Sequence, residues 1–405
     1  MERPYSKVKI TPKGERKLRS GHPWVFDAEV TEVSGAVENG GIVDVYSPKD
    51  RWLGAGFYND HSRIRVRIIS RNANDRFDGS FWRRALQYAV DYRRSVLSET
   101  DFRCCRLVFG EADRFPGLTV DRFENVLVVE TLSLGMERIK EELFPMLLDV
   151  LRERGAEITA IYERNESPLR VKEGMTTGKG FAYGSGDGHV EICENGIYYD
   201  VDYINGQKTG FFLDQKFNRR AIREIAAGRR VLDCFTHTGS FGFNAVMGGA
   251  EHVTSVDISA DAIEQTKKNA ERNGFTAEKM DFVCADVFDL LTDMAKQGGK
   301  PQYDFIILDP PAFTKSGATV KSAYRGYKEI NLKAMKLLPR GGYLATCSCS
   351  HFMTDELFRQ MLAEAAADAD VSLRQVEARQ QGADHPILWG VPETEYLKFY
   401  VFQVV

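Results

Sequence analysis

At 405 residues the chain exceeds one average domain, and two or three are expected. Its 43% hydrophobic and 28% charged residues are ordinary for a globular protein. The net charge of −4 excludes a uniformly basic nucleic-acid binder, so any basic surface must be local.

Residues 1–72 read as short strands broken by Gly, Asn and Pro: Val8–Ile10, Ile42–Tyr46, Trp52–Tyr58 and Arg63–Ser70. Several short strands with turn signals predict a small barrel. Arg63, Arg65 and Arg67 alternate with Ile64, Val66 and Ile68, which puts the three arginines on one face, where they are expected to bind RNA, and the apolar residues in the core. Residues 1–22 hold seven Lys or Arg against two Glu. That cluster is either a solvated face or a surface that neutralises RNA phosphates.

Helical spacing over 77–98 predicts a connector. Leu107–Tyr162 then alternates strand, strand, helix, strand, a platform with no catalytic constellation of its own. Gly184–Gly188 reads as a flexible surface loop, and Asn195-Gly196 as the turn of a hairpin. From Phe217 the pattern is α/β: strands 231–234, 253–256, 281–284, 304–308 and 342–347 alternate with helices, and two antiparallel strands close the chain. Helical crossovers permit a parallel sheet.

Four of those strands end in an acid: Asp233, Asp257, Asp286 and Asp309. In an open parallel sheet all four ends face one crevice, where a ligand binds. Asp257, 24 residues after Asp233, is placed to accept ribose hydroxyls, and Asp286 to take an exocyclic amine of adenine. Their neighbours Ile258 and Val287 would line the same ligand. The turn Phe235-Thr236-His237-Thr238-Gly239 lets backbone approach, because Gly239 lacks a Cβ. It is not Gly-x-Gly-x-x-Gly, so a nucleoside without a pyrophosphate fits better, and S-adenosylmethionine is the common one. The bland alternative is that the acids are strand-end caps.

Asp309-Pro310-Pro311-Ala312-Phe313 is similar to the Asp-Pro-Pro-Tyr/Phe motif of methyltransferases acting on a planar base. The prolines stiffen the loop over the crevice, and Phe313 could stack on a base. The loop 314–326 beside it is basic and aromatic, so Lys315 and Arg325 are expected to contact RNA. The next strand ends in Cys347-Ser348-Cys349-Ser350-His351. A thiolate there could add to carbon 6 of cytosine and activate carbon 5. Packing is the alternative, since free Cys is commonly buried. Cys-x-Cys alone is a poor zinc signature, and no metal is expected. Alternation puts both thiols on one face; the strand-end position of Cys349 favours it as nucleophile, and Cys347 as packing.

These segments, with Gly21-His22-Pro23-Trp24-Val25-Phe26, the run from Glu111 to Arg122 and Asn205 to Gln215, resemble the large-subunit ribosomal RNA methyltransferase I family, which makes 5-methylcytosine in 23S rRNA. The resemblance spans nearly the whole chain, and Gln207-Lys208-Thr209-Gly210-Phe211-Phe212-Leu213-Asp214-Gln215 is its most specific part. It implies an α/β architecture: a PUA-like β-barrel (1–73), a small central α+β domain (74–190) and a class I, Rossmann-like methyltransferase domain (191–405). It implies Cys349 as nucleophile, Asp309 on the cytosine edge, and Gln215, Asp257 and Asp286 on the cofactor. Many RNA cytosine-5 methyltransferases carry a second cysteine after the fourth-strand Pro-Pro. Ala312 or Phe313 stands there, so the base that removes the carbon-5 proton is unassigned; His351 is a candidate and a structural histidine the alternative.

No stretch approaches the roughly 20 apolar residues of a spanning helix, so no membrane partner is expected. The segment from Met1 to Lys7 lacks the apolar core of a signal peptide, and seven cysteines without framework spacing fit a reducing cytoplasm. A homodimer is left open. The rival functions are methyl transfer to an exocyclic base nitrogen, which needs no thiol, and a non-catalytic RNA-binding ribosome-assembly factor.

Overall fold

The computed structural model describes residues 3–298 and 300–405; Met1 and Glu2, counted in the N-terminal charge above, and Gly299 lie outside the described residues. The chain divides into two compact units. The first runs to Ile192 and includes Asp200–Leu213 and Ala383–Thr394; the second holds Cys193–Tyr199, Asp214–Gly382 and Glu395–Val405. The expected barrel (1–73) and platform (74–190) both fall in the first.

In the first unit six strands form one sheet: Ser6–Ile10, Trp24–Phe26, Val30–Ser34, Ile42–Tyr46, Trp52–Tyr58 and Ile64–Ser70. Val8, Ile10, Val25, Val43, Val45, Val66 and Ile68 make its core, as alternation requires. Two of these strands and the helix Pro12–Arg19 were not legible. Trp24–Phe26 is only three residues, and Val30–Ser34 is largely exposed, so neither shows a buried period. The helix starts at a Thr11 cap whose side chain accepts from the Gly14 N–H.

A second sheet follows, of Gly178–Gly184, Ala160–Asn165, Val126–Thr131, Leu118–Phe123 and Cys104–Phe109 in that order. The helix Leu134–Glu153 supplies the crossover between the parallel strands Val126–Thr131 and Ala160–Asn165. The helix Gly79–Val96 buries Phe81, Trp82, Leu86 and Val90, and Trp82 stacks on Phe57 with ring centroids 6.0 Å apart. Gly178–Gly184 is an edge strand with nearly every residue exposed, so periodicity could not reveal it. The expected hairpin forms between His189–Glu194 and Ile197–Asp202; Asn195 and Gly196 take φ of 55° and 77°, the two left-handed residues of a type I′ turn.

The second unit is built on seven strands: β1 (Arg230–Cys234), β2 (His252–Asp257), β3 (Met280–Cys284), β4 (Phe305–Leu308), β5 (Tyr343–Ser348), β6 (Leu373–Arg379) and β7 (Lys398–Val404). Their order is β3-β2-β1-β4-β5-β7-β6. The first five pair in parallel, and β7 runs antiparallel between β5 and β6. The crossovers carry α1 (Ser240–Met247), α2 (Ala260–Arg272), α3 (Val287–Gln297), α4 (Val320–Leu337) and α5 (Asp355–Asp368). Strand order reverses between β1 and β4, so their carboxyl ends open a crevice at the switch point. Beneath it Leu232, Ile306, Leu308, Tyr327, Ile330, Met335, Phe358 and Tyr400 form a buried cluster. Arg219 and Glu194 form a bidentate pair, two contacts of 2.7 Å, with both side chains at most 2% exposed. Among the described residues no helix is long and apolar enough to cross a membrane.

Candidate active site

The turn after β1 is the most constrained backbone in the crevice. Phe235, His237 and Gly239 have φ of 62°, 52° and 86°. A left-handed Phe is costly and persists only where its surroundings enforce it. Asp233 does much of the enforcing. It is 1% exposed, and its Oδ2 accepts from the Thr236 hydroxyl at 2.5 Å and the Gly242 N–H at 2.9 Å. Burial, opposed by those donors, pushes its carboxyl up to about 7. Of the expected cofactor ligands, Asp233 is therefore the one most fully used by the protein itself.

Asp257, at the end of β2, is half-buried; its oxygens accept from the N–H groups of His237 and Ser259, both at 2.9 Å. It thereby ties the β1 turn to the β2 end. Ile258 beside it is 67% exposed, an apolar side chain left on the crevice rim. Asp286 caps α3, accepting from Phe288 N at 2.7 Å, and Val287 is buried. The observed caps leave the ligand reading open at Asp257 and Asp286, because a capping carboxylate keeps further lone pairs. Thr238 is buried, and its hydroxyl has no hydrogen-bond partner among the described residues. An orphaned hydroxyl beside a glycine-widened turn is a donor set suited to a polar ligand. A Cβ on Gly239 would lie 2.4 Å from the Phe243 ring and 2.7 Å from Thr266.

At the end of β4, Asp309 Oδ1 accepts from Gln215 Nε2 at 3.0 Å. Gln215 is 3% exposed, and its Oε1 accepts from Asn218 Nδ2 at 2.7 Å, which fixes the amide's orientation. Gln215 thus orients Asp309, a contact the sequence did not suggest. Cys347 is fully buried in β5, beside Asp309 and Gln215. Burial and the nearby Asp214 charge push the Asp309 carboxyl up to about 6. Burial raises the Cys347 thiol well above the usual range. Asp214 Oδ2 accepts from the Tyr396 hydroxyl at 2.7 Å.

Cys349 lies one residue beyond β5 and is half-buried, whereas Cys347 is 0% exposed. Strand alternation, which would give the two thiols one environment, stops before position 349. Lys398 Nζ donates to Ser350 O at 2.7 Å and Tyr396 O at 2.8 Å. The Tyr327 hydroxyl lies 3.0 Å from Ser350 Oγ. Neither Lys398 nor Tyr327 was singled out from the sequence; the signal for Lys398 was a lone cation in an apolar strand.

Pro310 is buried and Pro311 exposed. The Phe313 ring packs 4.5 Å from Tyr327 and 5.8 Å from Phe288, so it is already engaged. The loop after Pro311 is shorter than expected, since α4 begins at Val320; Lys315 is exposed on the loop and Arg325 on the helix. His351 is exposed and contacts Phe352. In the first unit, Arg63 is exposed and precedes its strand, and Arg65 donates to Asn59 O. Arg67 does not share that openness: it is paired with Glu173 at 2.9 Å and Glu111 at 3.3 Å.

The switch-point crevice, the glycine turn and the strand-end acids define an S-adenosylmethionine-dependent methyltransferase. The family of that description matches residues 118–400, and the PUA-like domain family matches residues 8–71. Ribosomal RNA large subunit methyltransferase I of Pseudoalteromonas translucida is 39% identical over 96% of this chain and 97% of its own. The protein of the same name from Klebsiella pneumoniae is 38% identical over 96% of each chain. A Streptococcus mutans protein described as a SAM-dependent methyltransferase shares the fold, with a TM-score of 0.82 over 98% of this chain and 100% of that one at 22% identity. The chain belongs to the ribosomal RNA large subunit methyltransferase I family. It is a methyltransferase, and its cofactor is S-adenosylmethionine.

Proposed function

We propose that the enzyme methylates carbon 5 of a cytosine in 23S ribosomal RNA, in the cytoplasm, through a covalent bond between Cys349 and carbon 6. The observation that carries this reading is the pairing of an accessible thiol just past β5 with a protonatable carboxyl at the end of the adjacent β4. Residues 1–73, with the exposed Arg63, dock RNA phosphates, and Lys315 and Arg325 hold strands near the target. The cytosine leaves its stack, because carbon 5 is out of reach inside a helix. Gln215 holds Asp309 against the ring edge. The Cys349 thiolate adds to carbon 6, and Asp309, with a carboxyl near 6, gives its proton to the ring nitrogen. When bound, S-adenosylmethionine supplies an electrophilic methyl group. Thr238, the 235–239 backbone, Asp257 and Asp286 would hold it.

Incubation of unmodified 23S rRNA with the methyl-labelled cofactor, followed by nucleoside analysis, tests the reading. Label in 5-methylcytidine that disappears with Cys349→Ser supports it. Label on an exocyclic nitrogen that survives Cys349→Ser supports the thiol-free rival, and no label supports a pure binder.

A further inference from the structure

We propose that Lys398 is the positioning residue that holds Cys349 as a thiolate, its ammonium serving as the counter-charge; this rests on the covalent reading above. Lys398 opens β7, whose other residues are nearly all buried and mostly apolar. Its partner across the sheet is Ser348, the last residue of β5, and its Nζ reaches forward to the carbonyl of Ser350. Those two contacts bracket Cys349.

The environment of the ammonium is what demands an anion. Lys398 is 5% exposed, and its hydrogen bonds go to two neutral carbonyls, those of Ser350 and Tyr396. Among the described residues no carboxylate lies within ion-pair distance of it. A buried cation without a counter-ion is strongly disfavoured. Burial accordingly lowers Lys398 to about 8, and the acids that oppose this are Cys349 first, then Asp355 and Glu395. The last two have other work: Asp355 accepts from the Tyr400 hydroxyl, and Glu395 from Gln380 at 2.6 Å. Two further titratable groups surround the thiol. Tyr327 is raised by burial, with Cys349 adding to the rise, and Cys347 is raised well above the usual thiol range, first by burial. Neither supplies a positive charge.

The chemistry balances without consuming the lysine. The Cys349 S–H gives its proton to solvent, and the sulfur lone pair forms the bond to carbon 6. When solvent has taken the proton from carbon 5, that C–H electron pair re-forms the carbon 5–carbon 6 double bond, the sulfur–carbon bond breaks with its pair returning to sulfur as thiolate opposite the ammonium, and the ring nitrogen returns its proton to Asp309. Thiols beside a cation are commonly depressed to between about 3.5 and 7.5, whereas an ordinary thiol ionises near ~8.5.

The test follows iodoacetamide alkylation of Cys349 against pH by peptide mass spectrometry, in the full chain and in Lys398→Met. The wild type should show a midpoint below ~8.5. Lys398→Met should move that midpoint to higher pH, and the alkylation rate at pH 7 should fall roughly tenfold for every pH unit by which the midpoint rises above 7. Identical midpoints would overturn the proposal. Should Lys398→Met fail to fold, the wild type decides alone: a midpoint at or above ~8.5 overturns it. Failure of the covalent reading looks different, since Cys349→Ser would then still methylate whatever the alkylation profile.

Discussion

Asp233→Asn separates a carboxylate that builds the cofactor turn from one that grips the cofactor. In the wild type the carboxyl is buried, braced by Thr236 and Gly242, and pushed from 3.8 to about 7. The folded state therefore keeps a proton over pH 4 to 7 that the unfolded chain has released. Stability falls as pH rises through that window and levels off above it. Between pH 5 and pH 8 the loss accumulates over about two pH units, on the order of 3 kcal/mol. An asparagine can still accept from Thr236 and Gly242 through its oxygen but carries no charge to desolvate. The variant should therefore gain on the wild type from pH 5 to pH 8 by about that amount. Calorimetric unfolding of both proteins at the two pH values measures the difference, and isothermal titration at pH 8 should find cofactor affinity within severalfold of wild type. An unchanged difference between pH 5 and pH 8, with a tenfold or greater loss of affinity, would refute this account and make Asp233 a direct ligand.

Three further outcomes follow from the geometry. Gly239→Ala forces a Cβ into the Phe243 ring at a positive φ, so it should cost about 2–5 kcal/mol and abolish detectable cofactor binding by titration. Asp309→Asn removes the proposed proton donor at β4; single-turnover methyl transfer should slow by about 10²–10⁴-fold while cofactor binding changes little. Glu194→Gln leaves the Arg219 guanidinium buried without its counter-charge and should destabilise the protein by about 3–5 kcal/mol in denaturant titration.

The second unit was largely legible because its signals are local. Apolar runs ending in Asp233, Asp257, Asp286 and Asp309 announce strands and their carboxyl ends together. The first unit was less so. Val30–Ser34 and Gly178–Gly184 are exposed strands held by pairing with neighbours, and pairing leaves no trace in a single segment's periodicity. The site shows the same division. That Asp309 and Cys349 stand at neighbouring strand ends could be read from order alone. That Gln215 orients Asp309 across 94 positions, and that Lys398 reaches the Cys349 segment across 48, depends on long-range contacts that no local pattern encodes.

The proposed bond between Cys349 and the target base is tested most directly by mass spectrometry of the enzyme after reaction with 23S rRNA transcripts containing 5-fluorocytidine, where fluorine blocks the final proton removal and traps the adduct. A protein–RNA species cross-linked at position 349, dependent on the methyl donor and absent from Cys349→Ser, is the expected result. Methylated product without a trapped species, or an adduct on another residue, would contradict the mechanism.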